Sequence, residues 1–140
     1  LEVGTTATEY QFKSYGQELR ECQRYYQKFW SDSALSGNGM YLGSGQIYTG
    51  SSAYFQVPLI QTMRAVPSLF YAGTVQAAHY SYTGAAVTGL TLYGGSTPDV
   101  VTLQASNSGT AWTTSTGWNC LKVGPSSSPG TTYVAFSADL

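Results

Sequence analysis

Acid–base and nucleophilic catalysis need ionisable side chains within reach of one another, and this chain is almost bare of them beyond its first quarter. Nine of its charged residues lie in the first 32 positions, and only Arg64, Asp99, Lys122 and Asp139 follow. Hydrolysis of a glycosidic bond calls for two carboxyl groups facing each other across it. Asp99 follows Pro98 in a turn-like stretch and Asp139 sits one residue from the end, so no such pair is expected. Serines are plentiful, but no G-x-S-x-G elbow occurs and the only base at hand is His79. As the sole histidine, it excludes clustered-histidine metal sites within one subunit. No enzymatic activity, no cofactor and no metal are expected.

The aromatic residues carry more information. Twelve tyrosines, three tryptophans and five phenylalanines, in a chain only 9% charged, exceed what one small core demands. Tyrosine and tryptophan join an apolar ring to a polar tip and suit half-wet surfaces. Sugars offer an apolar face ringed by hydroxyls, and a flat ring with neutral hydrogen-bonding groups around it grips them. Two segments have that make-up. Trp112 and Trp118 flank T-T-S-T-G with Asn107 and Asn119 near by, and Tyr80 and Tyr82 flank Ser81 beside His79. These seven residues are the candidate ligand-binding set. A competing reading makes Trp118, which alternates with Cys120, a core residue and gives the tyrosines to a subunit interface.

The elements that must position these residues follow from pattern. Ser14 and Gln17 have the spacing of a capping box, which predicts a helix start. Leu19, Cys22, Tyr26 and Phe29 recur at helical spacing, whereas Tyr25, Tyr26, Phe29 and Trp30 favour a strand. A helix of about two turns giving way to a strand near Arg24 satisfies both patterns. Asn38-Gly39 suits a tight turn. Thereafter the period is two: Ala53, Phe55, Val57 and Leu59 alternate with Ser52, Tyr54, Gln56 and Pro58, and the proline predicts an edge or a bulge. Leu69 to Gln76, Val87 to Tyr93, Val100 to Ala105, Trp118 to Val123 and Thr132 to Ala138 read as further strands between turn-rich segments. The expected fold is mainly β, an antiparallel β-sandwich of jelly-roll type with one short N-terminal helix. Residues 1–13 are expected to be an arm or the end of an upstream domain, and residues 14–140 the sandwich.

At 140 residues a single core is expected, with solubility resting on 34 serines and threonines rather than on ions. A net charge of −1 gives no field to hold phosphates, which argues against nucleic acid as a partner. No apolar run is long enough for a membrane span, no leader pattern occurs, and no membrane insertion is expected. Cys22 and Cys120 are expected to be buried small apolar residues rather than a disulfide. Arg64, the one cation between Lys28 and Lys122, is expected to pair with a carboxylate from the opening stretch or with a carbonyl at an interface.

The run E-L-R-E-C-Q-R-Y-Y-Q, from Glu18 to Gln27, resembles a motif of the C-terminal domains of bacteriophage tail-fibre and related virion proteins. L-E-V-G-T-T-A-T-E-Y-Q-F, from Leu1 to Phe12, is similar to the close of the β-sandwich that often precedes it there. P-L-I-Q-T-M-R-A-V-P-S, from Pro58 to Ser68, and the final S-A-D-L resemble further parts of that family, while Tyr71 to Pro129 do not. The resemblance implies a virion protein assembled in the bacterial cytoplasm, a homotrimer joined to upstream fibre domains. Its partner would be a host surface glycan or lipopolysaccharide. A trimer axis would also allow a ring of three His79 imidazoles about a metal, as an alternative to a surface or packed histidine. Two other functional readings are a structural virion spacer or cap without a receptor role, and a carbohydrate-binding module of a glycosidase.

Overall fold

The computed structural model describes residues 12–31, 39–79, 84–108, 112, 119–124 and 131–138. Helix α1 spans Tyr15–Gln23, and its start is the expected capping box: the Ser14 hydroxyl accepts from the Gln17 N–H while the Gln17 carboxamide accepts from the Ser14 N–H. After the turn at Arg24 and Tyr25 come, among the described residues, ten strands: β1 Tyr26–Trp30, β2 Met40–Thr49, β3 Ser52–Pro58, β4 Ser68–Ala72, β5 Val75–His79, β6 Gly84–Ala86, β7 Gly89–Leu92, β8 Val100–Ser106, β9 Asn119–Val123 and β10 Tyr133–Ser137. All pairings are antiparallel. They form a three-stranded sheet, β1-β10-β4, and a seven-stranded sheet, β6-β5-β9-β2-β3-β8-β7.

The large sheet cannot be flat. Its edge strands β6 and β7 are joined by Val87 and Thr88 alone, a reach of about 11 Å from Ala86 to Gly89. Seven flat strands would set their edges roughly 28 Å apart. The sheet therefore curls, and the two joining residues pin the curl: Val87 donates to the Val75 carbonyl at 2.9 Å and Thr88 to the Ser106 carbonyl at 2.8 Å. Tyr71 of the small sheet adds a tie, its hydroxyl accepting from the Leu90 N–H on edge strand β7. This is a mainly β, antiparallel, sandwich-like fold with one short helix, as the sequence predicts.

Alternation places the core. Ala53, Phe55 and Val57 of β3, Val101, Leu103 and Ala105 of β8, and Leu121 and Val123 of β9 have no exposed surface, and they meet Phe29, Val134 and Phe136 of the small sheet. The Phe29 and Phe136 rings pack edge to face with centroids 6.0 Å apart.

Three expectations change. Leu69 to Gln76 is not one strand: Gly73, at φ +73°, breaks it into β4 and β5, which belong to different sheets. An L side chain is disfavoured at that φ, and a Cβ there would also run into Thr132. Pro58 lies on central strand β3 rather than at an edge, and as its last residue it ends the ladder, opposite Val100. The helix has no core face: Leu19 and Cys22 are exposed, and no α1 residue is buried. No disulfide joins Cys22 to Cys120, and Cys120 is half-buried.

What holds α1 is its C-terminal end. Gln27, only 3% exposed, spends its whole amide there: Nε2 donates to the Gln23 and Gln61 carbonyls at 3.0 and 2.6 Å, and Oε1 accepts from the Ile60 N–H at 2.9 Å. Around it the Arg64 N–H donates to the Arg24 carbonyl and the Ala138 N–H to the Tyr25 carbonyl, each at 2.8 Å. A buried amide that satisfies three backbone groups fixes geometry in a way an apolar residue could not.

Candidate ligand-binding face

The residues singled out from sequence divide into those inside and those outside the described parts. Tyr80, Tyr82 and Trp118 lie outside. His79 and Asn119 are register partners across β5 and β9, and Asn119 also faces Gly45 of β2. The half-buried Asn107 donates its N–H to the Ser51 carbonyl at 3.0 Å, and Trp112 donates its N–H to the Gly50 carbonyl at 2.7 Å. The two candidate segments thus leave the same end of the large sheet, where the β2–β3 hairpin turns. Trp112, however, is a core residue, 6% exposed, and its ring offers no open surface to a sugar. Its Nε1 is buried without a hydrogen-bond partner, a cost that the apolar contact of so large a ring offsets.

The surface that does combine exposed rings with neutral donors lies next to that end, on the outer face of the large sheet. Because Ala53, Phe55 and Val57 point inward, Tyr54 and Gln56 point outward, and the register puts Gln46, Tyr54, Gln104 and Thr91 in one row across β2, β3, β8 and β7. Ser44, Gln56 and Thr102 form the next row. Three tyrosine rings cross these rows. Tyr54 is flanked by Tyr48 at 5.9 Å and by Tyr93 at 4.8 Å, both edge to face. Tyr48 is 68% and Tyr93 49% exposed. No charged residue occurs in either row.

Local structure sets the two outer rings. Tyr48 has no opposite number at the irregularity in the β2–β3 register between Ile47 and Thr49, and it follows core-packed Ile47 in the alternation, which sends its ring to the outer side with Gln46 and Tyr54. The Thr49 hydroxyl then accepts from the Ser51 and Ser52 N–H groups and tightens the turn. Tyr93 is held through its backbone. It donates to the Thr102 carbonyl at 2.8 Å, and its own carbonyl accepts from the Ser96 N–H and hydroxyl. Rigid rings lose little freedom when they bind, which favours affinity.

The charged groups among the described residues lie elsewhere. The Asp99 carboxylate accepts from the Thr62 hydroxyl, and its carbonyl accepts from the Leu59 N–H, so it organises the turn before β8. Lys13 pairs with Glu21 at 2.7 Å on the surface. The Arg64 guanidinium stands over the Tyr25 ring rather than beside a carboxylate, 5.9 Å from its centroid, while the Arg64 backbone N–H meets a carbonyl. Among the described residues no group of three metal-ligating side chains occurs, and no helix is long and apolar enough to cross a membrane. Burial raises the Cys120 thiol above its ordinary pKa, and nearby Lys122 partly offsets this.

Sequence reasoning weighted the tryptophans and passed over Tyr48, Tyr54 and Tyr93. The alternation already seen in 52–59 points Tyr54 outward. The ring contacts depend on strand order, which no local pattern carries. Compared with protein-family models, with curated proteins and with solved structures, the chain finds no match in any of the three.

Proposed function

We propose that this chain is the C-terminal domain of a phage tail fibre or similar virion adhesin, assembled as a homotrimer, and that it binds a host surface glycan or lipopolysaccharide through the outer face of its large sheet. One observation carries the binding site: the three tyrosine rings cross an uncharged field of glutamine, serine and threonine side chains. Rings supply stacking for the apolar faces of sugars. The amides of Gln46, Gln56 and Gln104 both donate and accept, which matches hydroxyls, and the lack of charge favours neutral sugars over phosphate or uronate. The virion setting and the trimer rest on the resemblance of Glu18 to Gln27. Affinity per subunit is weak on this reading, and multivalency supplies the rest.

An array of bacterial polysaccharides and lipopolysaccharides tests the reading. The wild-type chain should bind a subset of neutral glycans, and Tyr54→Ala should weaken that binding at least tenfold, about 1.4 kcal/mol, at an unchanged unfolding temperature. Equal binding by both proteins would move the site away from the tyrosine row, and no binding by an intact assembly would favour a spacer whose exposed aromatics serve assembly alone.

A further inference from the structure

Helix α1 is anomalous. It is nine residues long and buries none of them, although helices of fewer than about 12 residues are marginal in water without packing. Its base is fixed by Gln27 and by the carbonyls of Arg24 and Tyr25, so the sandwich holds it in place while its sides stay largely exposed. The exposed sides are not alike. At 100° per residue Tyr15, Leu19 and Cys22 fall on one arc, with spacings of four and three, and Arg20, Glu21 and Arg24 fall on the opposite arc.

We infer that this arc is a contact between copies of the chain, with α1 of one copy lying parallel and in register against α1 of a second. The inference rests on the assembled form proposed above and assigns its surface. Charge supports a self-contact: Glu18, the one charged residue flanking the arc, would face Gln23 of a second copy rather than another carboxylate. The parallel sense follows from what comes next in the chain. Tyr25, Tyr26 and Trp30 are 43 to 50% exposed directly after the helix, and in a parallel pair they continue the contact. In an antiparallel pair they would lie at opposite ends. With Tyr15 and Leu19 they present apolar surface on the order of 500 Å², over half of the roughly 800 Å² per partner of a standard interface.

Light scattering on the wild-type chain and on Leu19→Glu tests the contact. The wild type should show a mass that is a multiple of 15.0 kDa, and Leu19→Glu should fall to one chain with unchanged β-sheet circular dichroism. In the wild type, Cys22 should form a chain-to-chain disulfide with copper phenanthroline under air, two thiols giving two electrons and two protons to oxygen. Cys22→Ser should abolish it. A wild-type monomer at about 100 μM, an oligomer whose mass Leu19→Glu leaves unchanged, or a cross-link that survives Cys22→Ser would each overturn the inference. Glycan binding separates its failure from that of the proposed site: a monomer that still binds sugar removes the helix contact and the homotrimer but leaves the glycan site, and an α1-dependent oligomer that binds none removes only the glycan.

Discussion

The outer face of the large sheet and helix α1 both leave aromatic side chains in water, and they do so in opposite ways. The tyrosines at 48, 54 and 93 stand on a sheet whose other side is core, touch one another, and have neutral amides for neighbours. Tyr15 and Leu19 stand on a helix that buries none of its residues, and charges fill its far side. A rigid, uncharged ring row suits a small polar ligand. An unsupported amphipathic helix suits another helix. Exposure alone does not distinguish a binding site from an assembly contact; what lies under the rings and beside them does.

Substitutions in the supports of the two regions should separate them. The largest effect is expected from Trp112→Ala, in the core beneath the hairpin end, at about 3–5 kcal/mol of stability, read from urea unfolding. A mild loss with abolished glycan binding would instead return the site to the loops. Gln27→Ala strands two carbonyls and one N–H at the base of α1 and should cost about 2–3 kcal/mol. It should lower the oligomer mass before it lowers sugar binding. Gly73→Ala forces a side chain into the left-handed region against Thr132 and should cost about 1–3 kcal/mol, affecting both regions alike because it joins the two sheets. The mildest test is chemical. In the Leu19→Glu chain at pH 8, iodoacetamide should alkylate exposed Cys22 several-fold faster than Cys120, whose raised pKa leaves less thiolate. Equal rates would mean that Cys120 is more open than its place on β9 suggests.

Much of the fold was legible because it follows from local pattern. Ser14 and Gln17 announced the helix start, alternation from Ser52 announced β3, and the turn clusters bounded β8, β9 and β10. What depends on strand order was not. Gly73 falls inside Leu69 to Gln76, a run that reads as one strand, yet there the chain passes from one sheet to the other. The periodicity of Leu19 and Cys22 suggested burial, but periodicity reports amphipathicity and not what covers the apolar side. The candidate site was legible only as chemistry. Aromatic and neutral polar residues were the right classes to seek, whereas their meeting around Tyr54 required four strands, β2, β3, β8 and β7, that no short motif brings together.

The central claim, that the tyrosine row holds the sugar, is tested most directly by nuclear magnetic resonance of the labelled chain titrated with a polysaccharide that it binds. The account predicts shifts concentrated on Gln46, Tyr48, Tyr54, Tyr93 and Gln104, while Tyr15, Leu19 and Trp30 stay unmoved. Shifts centred on the helix and on Trp30, with the tyrosine row silent, would contradict it.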